Sequence, residues 1–319
     1  MTDFIELKEK MKNFYAEHEV LMRPVVKFLA VLASMLLIKS NIGYMSAINT
    51  LPVIIIISLL LAFAPWSMIV VGLAIAIAGN ILSLSVELGA LTVIVMLIMF
   101  LFFFRFTPRQ GAMLVLIPLA FFLKMPYVVP IAAGLICTPV SIVSVVFGIV
   151  LYYMINVISQ NATVISNMSD EASGSASINS IINMMSNNKE MFLTIIAFTI
   201  TIIVVYMIKR SAMNNAWMAA IVTGGIVDLV ITLSGSIILN TKSSIIWIII
   251  GTVLSVFVSM LLQFFLFSVD YSRTEHTQFE DDEYYYYVKA IPKINVTAPE
   301  MNVKRINAQR RRKSQPKRK

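Results

Sequence analysis

Asp228 is the one acidic residue placed deep in an apolar run, 217–239, and it follows directly on the pair Gly224-Gly225. A carboxyl at bilayer depth is costly unless it is paired, hydrated or protonated. Two chemistries suit it. It can carry a proton and so couple movement of a solute to protons, or it can form a fixed ion pair with Lys124. A hydrogen-bonded packing role at a helix interface is the structural alternative. Lys124 stands between the apolar stretches 111–123 and 125–137, and its own alternative is a hairpin tip that reaches an interface and extends its amine to water. Pro118, Pro126, Pro130 and Pro139 remove backbone donors throughout this region, leaving carbonyls free to face a polar cavity. The pathway or coupling candidates are therefore Asp228, Lys124, Pro126, Pro130, Gly224 and Gly225.

Other chemistries lack their residues. The two histidines, His18 and His276, fall outside the apolar runs, so an intramembrane Ser-His pair or a histidine-ligated metal has no ligands there. A carboxylate dyad needs two deep acids. The single cysteine, Cys137, rules out an intrachain disulfide. The chain contains no GxxxxGK[ST] loop, so nucleotide-driven work would need a separate ATPase subunit. The expectation is a protein that is not an enzyme and holds no cofactor and no metal.

These residues need a membrane frame. Apolar residues make up 58% of the 319, charged residues only 13%, well below the roughly 25% charged content of soluble domains. The expected class is an all-α polytopic membrane protein. About eight spans are read at 25–38, 48–64, 66–82, 88–104, 141–158, 191–208, 217–239 and 244–267, with a broken or re-entrant helical hairpin at 111–137. Each half of that hairpin falls short of the roughly 20 residues that cross a bilayer. The division is a cytoplasmic amphipathic leader at 1–23, a transmembrane bundle at 24–268 with an outer loop at 159–190, and a cytoplasmic tail at 269–319. In that outer loop Ile178, Ile181, Ile182 and Met185 have the spacing of a surface helix. With both termini inside, 20 of the 25 Lys and Arg residues fall in inner segments, as the positive-inside rule requires. Reading 111–137 as one crossing would put the basic tail outside. The expected location is the cell (plasma) membrane.

The tail has its own pattern: four acids, 280–283, then Tyr284, Tyr285, Tyr286 and Tyr287, then a basic end that includes Arg310, Arg311, Arg312 and Lys313. The tyrosine run reads as a short strand or adhesive patch. The basic end suits an anionic inner leaflet or a cytosolic protein partner, and nucleic acid is not expected. The stretch 279–290 is similar to the tails of polytopic membrane proteins of anaerobic Gram-positive bacteria, a resemblance that implies no activity. The function read from the sequence is a transporter or permease-like subunit with a polar intramembrane pathway. Its alternative is a membrane scaffold that recruits a partner through its tail. Oligomerisation fits either.

Overall fold

The computed structural model describes residues 10, 14, 17–163, 174–211, 213, 215–241, 244–266 and 275–290. The leader before Glu17 lies almost wholly outside them, as does the basic end that carries Arg310, Arg311, Arg312 and Lys313. The chain divides into two compact units, Met1–Ser268 and Val269–Lys319.

In the first unit the helices are α1 (Glu19–Ile42), α2 (Leu51–Ala62), α3 (Trp66–Leu84), α4 (Val86–Phe106), α5 (Gly111–Phe122), α6 (Val128–Ile136), α7 (Ser141–Gln160), α8 (Gly174–Ser186), α9 (Lys189–Lys209), α10 (Ala216–Ile238) and α11 (Ile245–Leu266). Seven of these, α1, α3, α4, α7, α9, α10 and α11, are long and apolar enough to cross a membrane. In hydrocarbon a helix satisfies its own backbone, so even the β-branched run Ile54–Ile57 of α2 is helical despite its weak helix propensity. Within the expected span 48–64 the helix is shorter than the apolar run. Pro52 opens α2 in its first turn and the Phe63-Ala64-Pro65 turn closes it, leaving 12 helical residues. The first helix is longer than expected, at 24 residues, because Pro24 is accommodated within it.

Side-chain bonds sort the helix ends onto two faces. On one, Lys27 Nζ donates to the Ala64 carbonyl at 2.8 Å, Ser67 Oγ to the Pro108 carbonyl at 2.7 Å, and Ser144 Oγ to Thr107 Oγ1 at 2.8 Å. Gln110 Nε2 donates to Thr138 Oγ1 there, at 3.5 Å. The entrance of α5 and the exit of α6 are thus neighbours, and 111–137 is a helical hairpin. On the opposite face Asn80 Oδ1 accepts from the Asn49 amide at 2.6 Å and from the Met45 N–H at 3.1 Å. Asn80 is wholly buried. Its replacement by alanine leaves the part-buried Met45 N–H without its acceptor and the Asn49 amide with one bond, to the Met45 carbonyl, and is expected to cost about 1–3 kcal/mol, read as a lowered melting temperature of the detergent-solubilised protein.

The tip of the hairpin is closed by a left-handed residue. Lys124 has φ 57°, its N–H bonds the Phe121 carbonyl, and the Met125 N–H reaches back to Ala120, the pairing of a Schellman ending. Glycine usually fills that position, and Pro126 shortly after it prevents α5 from continuing. Pro130 falls in the first turn of α6, where its missing donor has no helical partner to lose. The hairpin wedges between two halves of the core. Leu114, Val115 and Leu119 of α5 pack with α1, α3, α4 and α7, whereas Ile131 and Leu135 of α6 pack with α9 and α10. The helix expected from the spacing of Ile178, Ile181, Ile182 and Met185 is present as α8, with Ile181 buried against this core.

The second unit contains an antiparallel hairpin of β1 (Glu275–Glu280) and β2 (Tyr285–Ala290), so the chain is not purely helical and the tyrosine run, from Tyr285 on, is in a strand. Asp281 shapes the turn. One of its oxygens accepts from the Glu283 and Tyr284 N–H groups at 3.0 and 2.7 Å, the other from the Tyr286 hydroxyl at 2.9 Å. The two backbone donors, then the tyrosine hydroxyl, hold the Asp281 carboxyl below its usual range. A depressed carboxyl stabilises the hairpin above the pKa of the unfolded form, and that stabilisation is lost as pH falls through the folded value. Protection of the amides over 275–290 against exchange, taken relative to the intrinsic rate at each pH, is accordingly expected to fall below about pH 4, and to be low already at neutral pH in Asp281→Ala.

Candidate functional site

The centre of α10 is built for close approach. A Cβ on Gly224 would run into Val205 of α9, with Ile131 of α6 at 3.8 Å, and a Cβ on Gly225 would run into Val256 of α11. The pair therefore lets three neighbouring helices close on α10, and one turn later the Asp228 side chain is 0% exposed. Thr201 of α9 donates to Asp228 Oδ1 at 3.5 Å, a long bond. Asp228 Oδ2 is buried with no hydrogen-bond partner, and so is Thr232 Oγ1, one helical turn further along α10. Ser259 Oγ of α11 is a third such atom.

The hairpin contributes Tyr127. Its ring lies against Gly251 of α11, where an added Cβ would stand 2.8 Å from Cε2, and meets Phe198 of α9 edge-on at 6.4 Å. Side chains of α9, α10 and α11 and the start of α6 thus meet around one carboxyl.

The expected ion pair does not form. The Lys124 amine sits over the Trp247 ring at 5.7 Å, a cation–π contact, because the left-handed turn aims the residue outward at the hairpin tip. Lys209 is engaged with the Leu135 carbonyl at 2.5 Å and with the Trp217 ring at 5.2 Å. Of the six sequence candidates, Asp228, Gly224 and Gly225 come together, while Lys124, Pro126 and Pro130 belong to the architecture of the hairpin. Sequence reading missed Thr201, Thr232 and Tyr127. The i, i+4 spacing of Asp228 and Thr232 was the available signal for one of them.

Comparison with known proteins identifies no family. No family model matches the chain, and neither a curated protein nor a solved structure does.

An apolar cleft with room for about 60 Å³ lies elsewhere, between α1, α3, α4, α5 and α7, with Val70, Met96, Pro118 and Leu151 among its walls. It contains none of the polar atoms around Asp228. What the Asp228 cluster offers chemically is one carboxyl oxygen able to take and release a proton, with hydroxyl oxygens on the same and the facing helix to relay it. Among the described residues no group of three or more His, Cys, Asp or Glu side chains is placed to hold a metal.

Proposed function

We propose that this multi-pass membrane protein is a transporter or permease-like subunit whose polar pathway runs past Asp228 and couples to protons. The observation that carries the reading is the unpartnered Oδ2 of a wholly buried carboxyl. An orphaned buried polar atom costs about 1–3 kcal/mol, and a structural role would have supplied it with a donor. Ionisable groups at this depth belong to relays and substrate routes.

The hairpin 111–137 is proposed to be re-entrant, entering and leaving the bilayer on one side, because both its ends lie on one face of the bundle. That face also carries Arg105, Arg109, Lys209 and Arg210, which supports a cytoplasmic assignment with both termini inside and the plasma membrane as the location. On this reading α2 crosses in spite of its length, from Asn49 beside Asn80 to Ala64 beside Lys27, which gives eight crossings. Anionic inner-leaflet lipids are proposed partners of the basic tail, and a separate ATPase subunit is the proposed energy source if protons do not supply it.

Proton flux into proteoliposomes under an imposed membrane potential tests this reading. The wild-type chain is expected to conduct above protein-free vesicles, and Asp228→Asn to fall about tenfold or more. No flux from the wild type, or equal flux from the variant, rejects the proposal. A second reading, a scaffold that recruits a cytosolic protein, is favoured by the exposed tyrosines Tyr284, Tyr285 and Tyr287. Deleting the tail would then abolish partner co-purification, whereas a transporter keeps its flux.

A further inference from the structure

The β-hairpin is incomplete as a sheet. Two strands alone are marginally stable in water, and stability comes with a third strand or a covering layer. Among the described residues of the second unit the sheet has two strands. Their register places Phe279, Tyr286 and Val288 on one face, with Phe279 and Tyr286 stacked at 5.0 Å, and still leaves Phe279 55% exposed. Gln278, Tyr285 and Tyr287 occupy the other face, where Tyr287 is 79% exposed.

The two outer edges differ in a way that selects a partner. β1 begins and ends on a glutamate, Glu275 and Glu280, the charged edge by which natural sheets refuse another strand. β2 carries one charge, Lys289, near its end, and before it offers Tyr285, Tyr286, Tyr287 and Val288, aromatic or β-branched and free of proline, the composition that adds strands.

We propose that β2 pairs with β2 of a second copy of this chain, antiparallel about a two-fold axis at Tyr287, to give a sheet in the order β1-β2-β2′-β1′. Charge chooses a second copy. With the axis at Tyr287, the Lys289 end of one β2 comes beside the acidic 280–283 turn of the other, so opposite charges meet at both ends of the pairing. Pairing through β1 would set glutamates against glutamates. The same axis places Tyr286 of one copy across from Val288 of the other, an aromatic and β-branched pair on the face that Phe279 already occupies. The interface is self-complementary and closes at two copies. It is independent of the transport reading, since neither Asp228 nor the helical hairpin takes part.

Disulfide scanning of the full chain in lipid nanodiscs tests the pairing. In a Cys137→Ser background, single cysteines replace Tyr285, Tyr286, Tyr287 and Val288 in turn. Mild oxidation should give a covalent dimer through Tyr287→Cys about tenfold more readily than through the other three, because only at the axis do identical positions face each other within disulfide reach. Light scattering gives the second reading: Tyr287→Lys, at a position open to solvent, should weaken the dimer about tenfold or more by setting two cations across the axis. The proposal is overturned by the absence of any covalent dimer or by equal cross-linking at all four positions. A dimer that survives Tyr287→Lys unchanged, or a different protein captured through Tyr287→Cys, overturns it as well.

Discussion

Asp228→Leu is expected to insert, fold and withstand heating at least as well as the native chain while its proton flux falls to the level of empty vesicles. The stability half follows from the bonding at the site. One carboxyl oxygen has a single donor, Thr201, at 3.5 Å, and the other has none, so leucine removes a desolvation cost of about 1–3 kcal/mol and gives up one weak bond. Replacing buried polar or charged groups by apolar residues of like volume is often neutral or stabilising. The functional half follows from chemistry, since leucine can neither take nor release a proton. The two readouts, melting in detergent and flux in vesicles, separate a pathway residue from a structural one. A sharply lowered melting temperature in Asp228→Leu would show that the carboxyl holds α9 to α10, and the transport proposal would lose its support.

Gly224→Leu should have the opposite signature, loss of fold before any question of function arises. Val205 of α9 is wedged between two glycines. A Cβ on Gly134 of α6 would stand 2.7 Å from Val205 Cβ, and one on Gly224 of α10 would run into Val205 Cγ2. Forcing extra methylenes into such a contact costs about 1–3 kcal/mol or more, and here the strain falls on three helices together. Most Gly224→Leu protein is expected to be lost from detergent extracts or to elute as aggregate. The milder Gly224→Ala should be rescued by Val205→Ala, with a coupling of about 0.5–3 kcal/mol between the two sites. Additive effects would mean that the two side chains do not compete for one space.

The class of fold was legible because bilayer thickness and apolar run length are tied by simple geometry. Seven runs crossed that threshold. The hairpin was legible for the same reason, as two runs too short to span, and the tyrosine strand from its aromatic composition. The length of α2 was not, because the apolar run continues through Phe63 and Ala64 while the helix stops at Ala62; hydropathy does not register where a turn begins. Pairing was the least legible feature. Asp228 and Lys124 attract each other on paper, but the left-handed backbone at Lys124 turns its amine to Trp247, and no spacing rule announces a lysine at a glycine's position. The hydroxyl of Thr201 reached the site through the packing of α9 on α10, a tertiary fact that periodicity along either helix does not encode.

The shortness of α5 and α6 bears on how the protein is made. At 1.5 Å per residue their 12 and 9 residues reach about 18 and 14 Å, short of a hydrocarbon layer of about 30 Å. Their buried faces need α7 and α9, which emerge later from the ribosome. The hairpin can therefore complete its packing only after those two later helices have been made.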